Sequence, residues 1–229
     1  MRLSDYICRK LIPKPLRNLA MRQVNRILTT MAFYDIKDGV AIIPDSETRI
    51  ERLAFADCTD LKSVTIPGSV TEIGSAAFKG CTSLTSIIIP DSVTKIGSGA
   101  FDGCTGLSSV VIPDSVTEIG DSAFEGCTDL TSIVIPASVT KIDDRTFDGC
   151  TGLTSITIPD SVKKIGSQTF FGCTGLTSVT IPNSVTEIGD SAFSRCTGLT
   201  SIIIPDSVTE IGGAFYGCTG LTSVTIPIP

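Results

Sequence analysis

The sequence predicts a solenoid of short stacked strands, and three observations predict it. Prolines fall at 44, 67, 90, 113, 136, 159, 182 and 205, each 23 residues after the last. Cysteines keep step at 58, 81, 104, 127, 150, 173 and 196, then at 218 after a one-residue deletion. Almost every copy also carries the same apolar letters at the same offsets. A fixed period of about 20–29 residues is the mark of coils stacked into a superhelix.

One coil, read from Pro113, shows how each element arises. Leu130, Ile133 and Ile135 form an LxxIxI pattern before the next proline. Serine and β-branched residues suit a short strand there, and proline ends its ladder. Val116 and Ile119 point inward from a second short extended stretch. Gly120 is expected to turn the chain with a positive φ. Asp121 is placed to cap a short helical or 3₁₀ turn through Ser122-Ala123-Phe124. Cys127 closes that turn, and Thr128-Asp129 leads back to the strand.

About eight positions per coil are apolar, too many for one coil to bury alone. Stacking sets each beside its equal in the next coil at about 4.8 Å. Eight coils then span roughly 40 Å. The first coil is degenerate, with Ala41 and Glu47 at positions that are otherwise apolar, and reads as a terminal capping repeat. In the coil from Pro136, Asp143 replaces the turn glycine; Asp tolerates left-handed φ better than most residues.

The string LxxIxIPxSVxxIGxxAFxxC, repeated from about Asp38 to Pro229, resembles the BspA-like leucine-rich repeats. The resemblance implies a leucine-rich repeat solenoid of α/β type, mostly short parallel strands with helical or 3₁₀ turns. It also implies that the strand after Leu130 and its equivalents lines a concave face, and that the protein is an adhesion-type, surface-associated binder of other proteins.

The ends differ from the body. Residues 1–30 carry Arg2, Arg9, Lys10, Lys14, Arg17, Arg22 and Arg26 against one acid, Asp5, while the rest of the chain sums to −12. Leu16, Leu19, Ala20, Val24, Ile27, Leu28 and Met31 fall on one helical face behind Pro15. This segment reads as an amphipathic helix capping the solenoid; a targeting segment or a docking arm through the basic residues are the alternatives. The division is therefore 1–37 as basic N-terminal segment and 38–229 as solenoid of about eight repeats. At the other end, Leu221, Val224 and Ile226 would face an open coil, and an unprotected edge invites self-association or docking.

Several functions are disfavoured. The chain has no histidine, which removes the commonest general base and metal ligand. No catalytic residue, metal ligand or cofactor site is assigned. An enzyme would need Asp, Glu, Lys or Cys converging in a cleft, whereas the repeats spread like residues along lines. The cysteine column reads as core, since zinc sites want paired CxxC spacing or histidines. The post-proline aspartates Asp45, Asp91, Asp114, Asp160 and Asp206 are broken by Gly68, Ala137 and Asn183, so they read as turn caps rather than a calcium ladder. The column Glu72, Lys95, Glu118, Lys141, Lys164, Glu187, Glu210 reads as cross-coil ion pairs on a solvated face. An acidic body disfavours nucleic acid.

Binding is the function left. Outward strand positions are neutral throughout, and Ile88, Val111, Val134 and Ile203 make them apolar in places. Phe171 and Tyr216 stand where other coils have polar residues, and exposed aromatics are favoured anchors. The sequence thus points to a non-enzymatic protein-binding module, with a structural subunit of a larger assembly as the alternative. No run of about 18 apolar residues predicts a membrane span, and no apolar stretch after the basic start predicts a secretory signal. Unpaired cysteines favour a reducing compartment, whereas the family resemblance favours the cell surface.

Overall fold

The computed structural model describes Tyr34 and residues 36–226. Each coil contributes two short strands. The longer set runs Val40–Ile42, Ser63–Thr65, Ser86–Ile88, Ser109–Val111, Ser132–Val134, Ser155–Thr157, Ser178–Thr180, Ser201–Ile203 and Ser223–Thr225. The shorter set runs Arg49–Ile50, Glu72–Ile73, Lys95–Ile96, Glu118–Ile119, Lys141–Ile142, Lys164–Ile165, Glu187–Ile188 and Glu210–Ile211. Both sets pair in parallel with equal residues opposite, as Ile133 faces Ile156 and Ile156 faces Val179. The 23-residue period makes every side chain meet its own kind, so the register has no competitor.

The core lies between the two ladders and the turns. Val116, Phe124, Cys127 and Leu130 are fully buried, as are their equivalents in most coils. Phenylalanine rings from Phe55 to Phe215 form one stack, with centroids 5.0–5.6 Å apart and planes within 16°. Tyr34 extends the stack over Phe55 at 5.0 Å. Beside it Ile36–Lys37 pairs antiparallel with Val40–Ile42 and closes that edge. The first coil therefore takes in Tyr34 and Ile36–Lys37, and its Ala41 is buried as a small core residue.

The turns differ from the helical expectation. Among the described residues there is no helix; residues 121–126 are consecutive turns. Their amides alternate. Ser122, Phe124 and Gly126 donate to Asp144, Thr146 and Asp148 of the next coil, while Ala123, Glu125 and Cys127 donate within their own coil. Alternation needs left-handed residues, found at Ser122 (φ 55°) and Gly126 (φ 68°). A helix would have kept every amide inside the coil, so Asp121 caps none. The expected capping helix of residues 14–31, with the basic residues Arg2, Arg9, Lys10, Lys14, Arg17, Arg22 and Arg26, lies outside the described residues.

Gly120 is not left-handed, nor is Asp143. The glycine is needed for close approach instead. A Cβ on Gly120 would lie 2.7 Å from the amide nitrogen of Ser98, in the preceding coil. The post-proline aspartates make no side-chain hydrogen bond among the described residues. That turn is closed by the Val116 amide on the Pro113 carbonyl, and Ser115 Oγ donates to Val93 O across the coils at 2.7 Å. A serine one position later does the work expected of the aspartate.

Candidate interaction face

The longer strands from Ser86–Ile88 to Ser201–Ile203 alternate strictly. In Ser86-Ile87-Ile88 the middle residue is buried and its neighbours are exposed. The outward row reads Ile42, Thr65, Ile88, Val111, Val134, Thr157, Thr180, Ile203, Thr225. Exposure is 75% at Ile88, 60% at Val111, 70% at Val134 and 59% at Ile203. Ile88 lies directly opposite Val111 in the ladder. Val134 continues the row in the next coil. Ile203 is set apart from it by Thr157 and Thr180. Ile42, 70% exposed, opens the same row and was hidden by the irregular first coil.

The outward positions are neutral from Ser63 to Thr225. The hydroxyls bordering them are already engaged. Thr154 Oγ1 donates to Thr131 O at 3.2 Å, and Thr177 Oγ1 to Thr154 O at 3.3 Å. The face offers apolar and methyl surface interleaved with the exposed hydroxyls of its outward serines and threonines. The shorter ladder is charged instead, and there Lys95 meets Glu118 at 2.9 Å and Lys164 meets Glu187 at 2.5 Å. Lys141 departs from that pattern and bonds Asp143 of its own coil at 2.9 Å.

The two aromatic candidates lie elsewhere, on the turn side. Phe171 is half-buried under the guanidinium of Arg195, whose Cζ is 5.3 Å from the ring centroid. Tyr216 is 76% exposed. Buried Ser194 stands between them in the column, so the structure does not join them into one patch. Leu221, Val224 and Ile226 lie on the last described coil. Val224 and Ile226 are exposed there, whereas the equivalent Ile133 and Ile135 are buried.

Among the described residues the cysteine column is packed as core. Each thiol from Cys81 to Cys218 donates to a phenylalanine carbonyl of the preceding coil at 3.0–3.2 Å. Burial pushes the Cys150 and Cys196 thiols up to about 12 and Cys127 and Cys173 well up. Thiolate, the reactive form, is thereby suppressed. Among the described residues no His, Cys, Asp or Glu side chains cluster as a metal-binding group, and no helix is long and apolar enough to cross a membrane.

Parallel in-register ladders, a single stacked core and one flat neutral face define a solenoid repeat protein of the leucine-rich type. The sequence matches the model of the BspA type leucine rich repeat region, in 6 copies, over residues 26–154 and 140–228. The chain belongs to that family. Solved structures agree. A leucine-rich repeat protein from Bacteroides ovatus is 34% identical, with a TM-score of 0.73 over 82% of this chain and 55% of its own. A leucine rich cell surface protein from Faecalibacterium prausnitzii is 31% identical, with a TM-score of 0.51 over 83% of this chain and 60% of its own. A leucine-rich repeat protein from Eubacterium ventriosum is 29% identical, with a TM-score of 0.63 over 86% of this chain and 49% of its own. The chain thus spans half to three-fifths of these relatives. No curated protein matches it. The fold is one commonly used for protein–protein interaction and typically not for catalysis.

Proposed function

We propose that the protein is a non-enzymatic, adhesion-type binding module that holds protein partners on the outward face of its longer strands. The observation that carries this reading is the row Ile88, Val111, Val134, exposed and contiguous on a neutral surface. A large apolar row on an exposed neutral face marks a contact site. Its affinity would come from many small contacts, with Ile203 and Ile42 extending the row and Tyr216 and Phe171 acting as anchors at the turn side. The similar Faecalibacterium protein described as a cell surface protein supports an adhesion role. Photo-crosslinking amino acids at Ile88, Val111 and Val134 should capture a partner that the same label at Glu118, on the charged ladder, does not. Equal capture from both ladders would remove the reading.

A second reading rests on the charge division. A head of residues 1–37 carrying eight basic groups before an acidic solenoid of residues 38–229 suits docking of a subunit into a larger assembly. Leu221, Val224 and Ile226 would then stack on a neighbour or a second copy. Affinity capture with the chain and with a version lacking residues 1–30 separates the two readings. Partners kept without the head belong to the strand face; partners lost belong to the head.

A further inference from the structure

We infer that the solenoid is two blocks joined by a hinge at the step from Ile119 to Ile142, where both strand ladders lapse and the turn-side bonds remain. The inference starts from two glycine columns. In the first, Gly74, Gly97, Gly120, Gly166, Gly189 and Gly212 lie so close to the preceding coil that an added Cβ would fall 2.1–2.7 Å from it. In the second, Gly106, Gly152, Gly175, Gly198 and Gly220 leave 2.3–2.5 Å to a threonine carbonyl of the preceding coil. Real Cβ atoms do not occupy such gaps, so a larger residue must push its coil away from the one before.

The chain places larger residues in these columns at three interior steps, and the ladders break at those steps. Asp143 stands in the first column. The shorter ladder runs unbroken from Arg49–Ile50 to Glu118–Ile119, stops, and restarts at Lys141–Ile142. Ser83 and Asp129 stand in the second column. The longer ladder stops between Ser63–Thr65 and Ser86–Ile88, and again between Ser109–Val111 and Ser132–Val134. Where both columns hold glycine, both ladders remain paired.

Only one step loses both ladders, because Asp129 and Asp143 fall in one passage of the chain. There the Thr140 and Asp143 amides lack the bonds that Thr117 and Gly120 make to Thr94 and Ile96. The hydroxyl ladders lapse with them. Thr117 Oγ1 donates to Thr94 O, and Thr154 Oγ1 to Thr131 O, but Thr140 and Thr131 make no such bond. Lys141 turns to Asp143 instead of crossing to Glu118. The ring pair across the step, Phe124–Phe147, is the widest of the stack at 5.6 Å. A surface cleft of about 610 Å³ runs along this side of the solenoid from Ser75 past Gly97 and Gly120 and ends at Thr140 and Asp143.

What still crosses the step lies mainly on the turn side. Ser122, Phe124 and Gly126 keep their bonds to Asp144, Thr146 and Asp148 at 2.7–2.9 Å. Ser138 Oγ still reaches Val116 O, and the Asp129 amide and Thr128 Oγ1 both reach Thr105 O. Bonds kept in full along the turns and thinned along both strand sides make a hinge whose axis runs beside the turns. Ser83 is the internal control, since it breaks one ladder and leaves the other whole. The step also cuts the exposed row between Val111 and Val134, so bending there changes the curvature of that face.

Hydrogen exchange and label distances in the whole chain test the hinge. The amides of Thr131, Thr140 and Asp143 should exchange about tenfold or more faster than those of Thr154, Thr117 and Gly120, while Ser122, Phe124 and Gly126 stay protected. Spin labels on bioorthogonal residues at 86 and 178, across the step, should give a broader distance distribution than labels at 132 and 223, which span as many coils within one block. The variant Asp129→Gly/Asp143→Gly should slow the three amides to their neighbours' rates and narrow the first distribution. Equal exchange and equal widths in the wild-type chain would overturn the hinge, whether or not the variant folds. So would a folded variant that changes neither.

Discussion

The thiol of Cys127 donates to the carbonyl of Phe101 in the preceding coil, 3.2 Å away. The same carbonyl accepts the backbone amide of Cys104 within its own coil. One acceptor is thus satisfied twice, once along the chain and once across the stack. The cysteine column is therefore more than small apolar filler. It ties each coil's aromatic row to the next where no strand ladder reaches.

Cys127→Ala removes that donor and leaves a small void beside Phe124. A loss of about 1–3 kcal/mol is expected, read as a lower urea midpoint. An unchanged midpoint would reduce the column to filler.

Thiol reactivity should follow position in the stack. Cys58 and Cys218, half-buried in the terminal coils, should alkylate before Cys127, Cys150 and Cys173 in the folded chain. Burial first, then the neighbouring Cys81, Asp60 and Asp57, raises Cys58 to about 11, so even Cys58 should react more slowly at pH 8 than a free thiol. Mass spectrometry of partly alkylated protein reads the order directly.

Gly120→Ala and Gly213→Ala form a contrasting pair. Neither glycine has a positive φ. A Cβ at 120 meets Ser98 backbone at 2.7 Å, whereas a Cβ at 213 meets nothing within 4 Å. The first should cost about 1–3 kcal/mol by overpacking. The second should be neutral or slightly stabilising, since it only limits the unfolded chain. Thermal unfolding of the two variants checks both.

Asp148 brings a pH dependence. Burial, then the charge of Glu125 in the preceding coil, raises its carboxyl from 3.8 to about 6, with partial relief from Arg145. The folded state then keeps a proton that the unfolded chain has released. Asp148's contribution to stability is full below pH 4 and is lost as pH rises through 6. Asp148→Asn should raise the urea midpoint at pH 7 and leave it unchanged at pH 4. An equal shift at both values would assign the effect to packing alone.

Much of this architecture is legible in the letters. The 23-residue period orders the coils, and the buried columns of Val116, Ile119, Phe124, Cys127 and Leu130 follow from it. So does the outward row at Ile88, Val111 and Val134, because side chains alternate along a strand. The turns were not legible. Ser122-Ala123-Phe124 suits a helix locally, and only the neighbouring coil, by accepting every second amide, makes left-handed turns better. Gly120 shows the same limit. A glycine in a turn suggests positive φ, whereas this one answers to a backbone 23 residues away. Asp143 looked like a tolerated variant for that reason. Ile42 escaped because the first coil keeps the strand but loses the consensus around it.

The central claim is that the outward row of the longer strands binds protein partners. The most direct measurement compares partner binding by the wild-type chain and by Ile88→Thr/Val111→Thr/Val134→Thr. Threonine already occupies this row at Thr157 and Thr180, so the fold should hold, with each stability change within about 0.5 kcal/mol. The expected result is an unaltered unfolding midpoint with partner binding weakened about tenfold or more. Undiminished binding by the folded triple variant would contradict the claim.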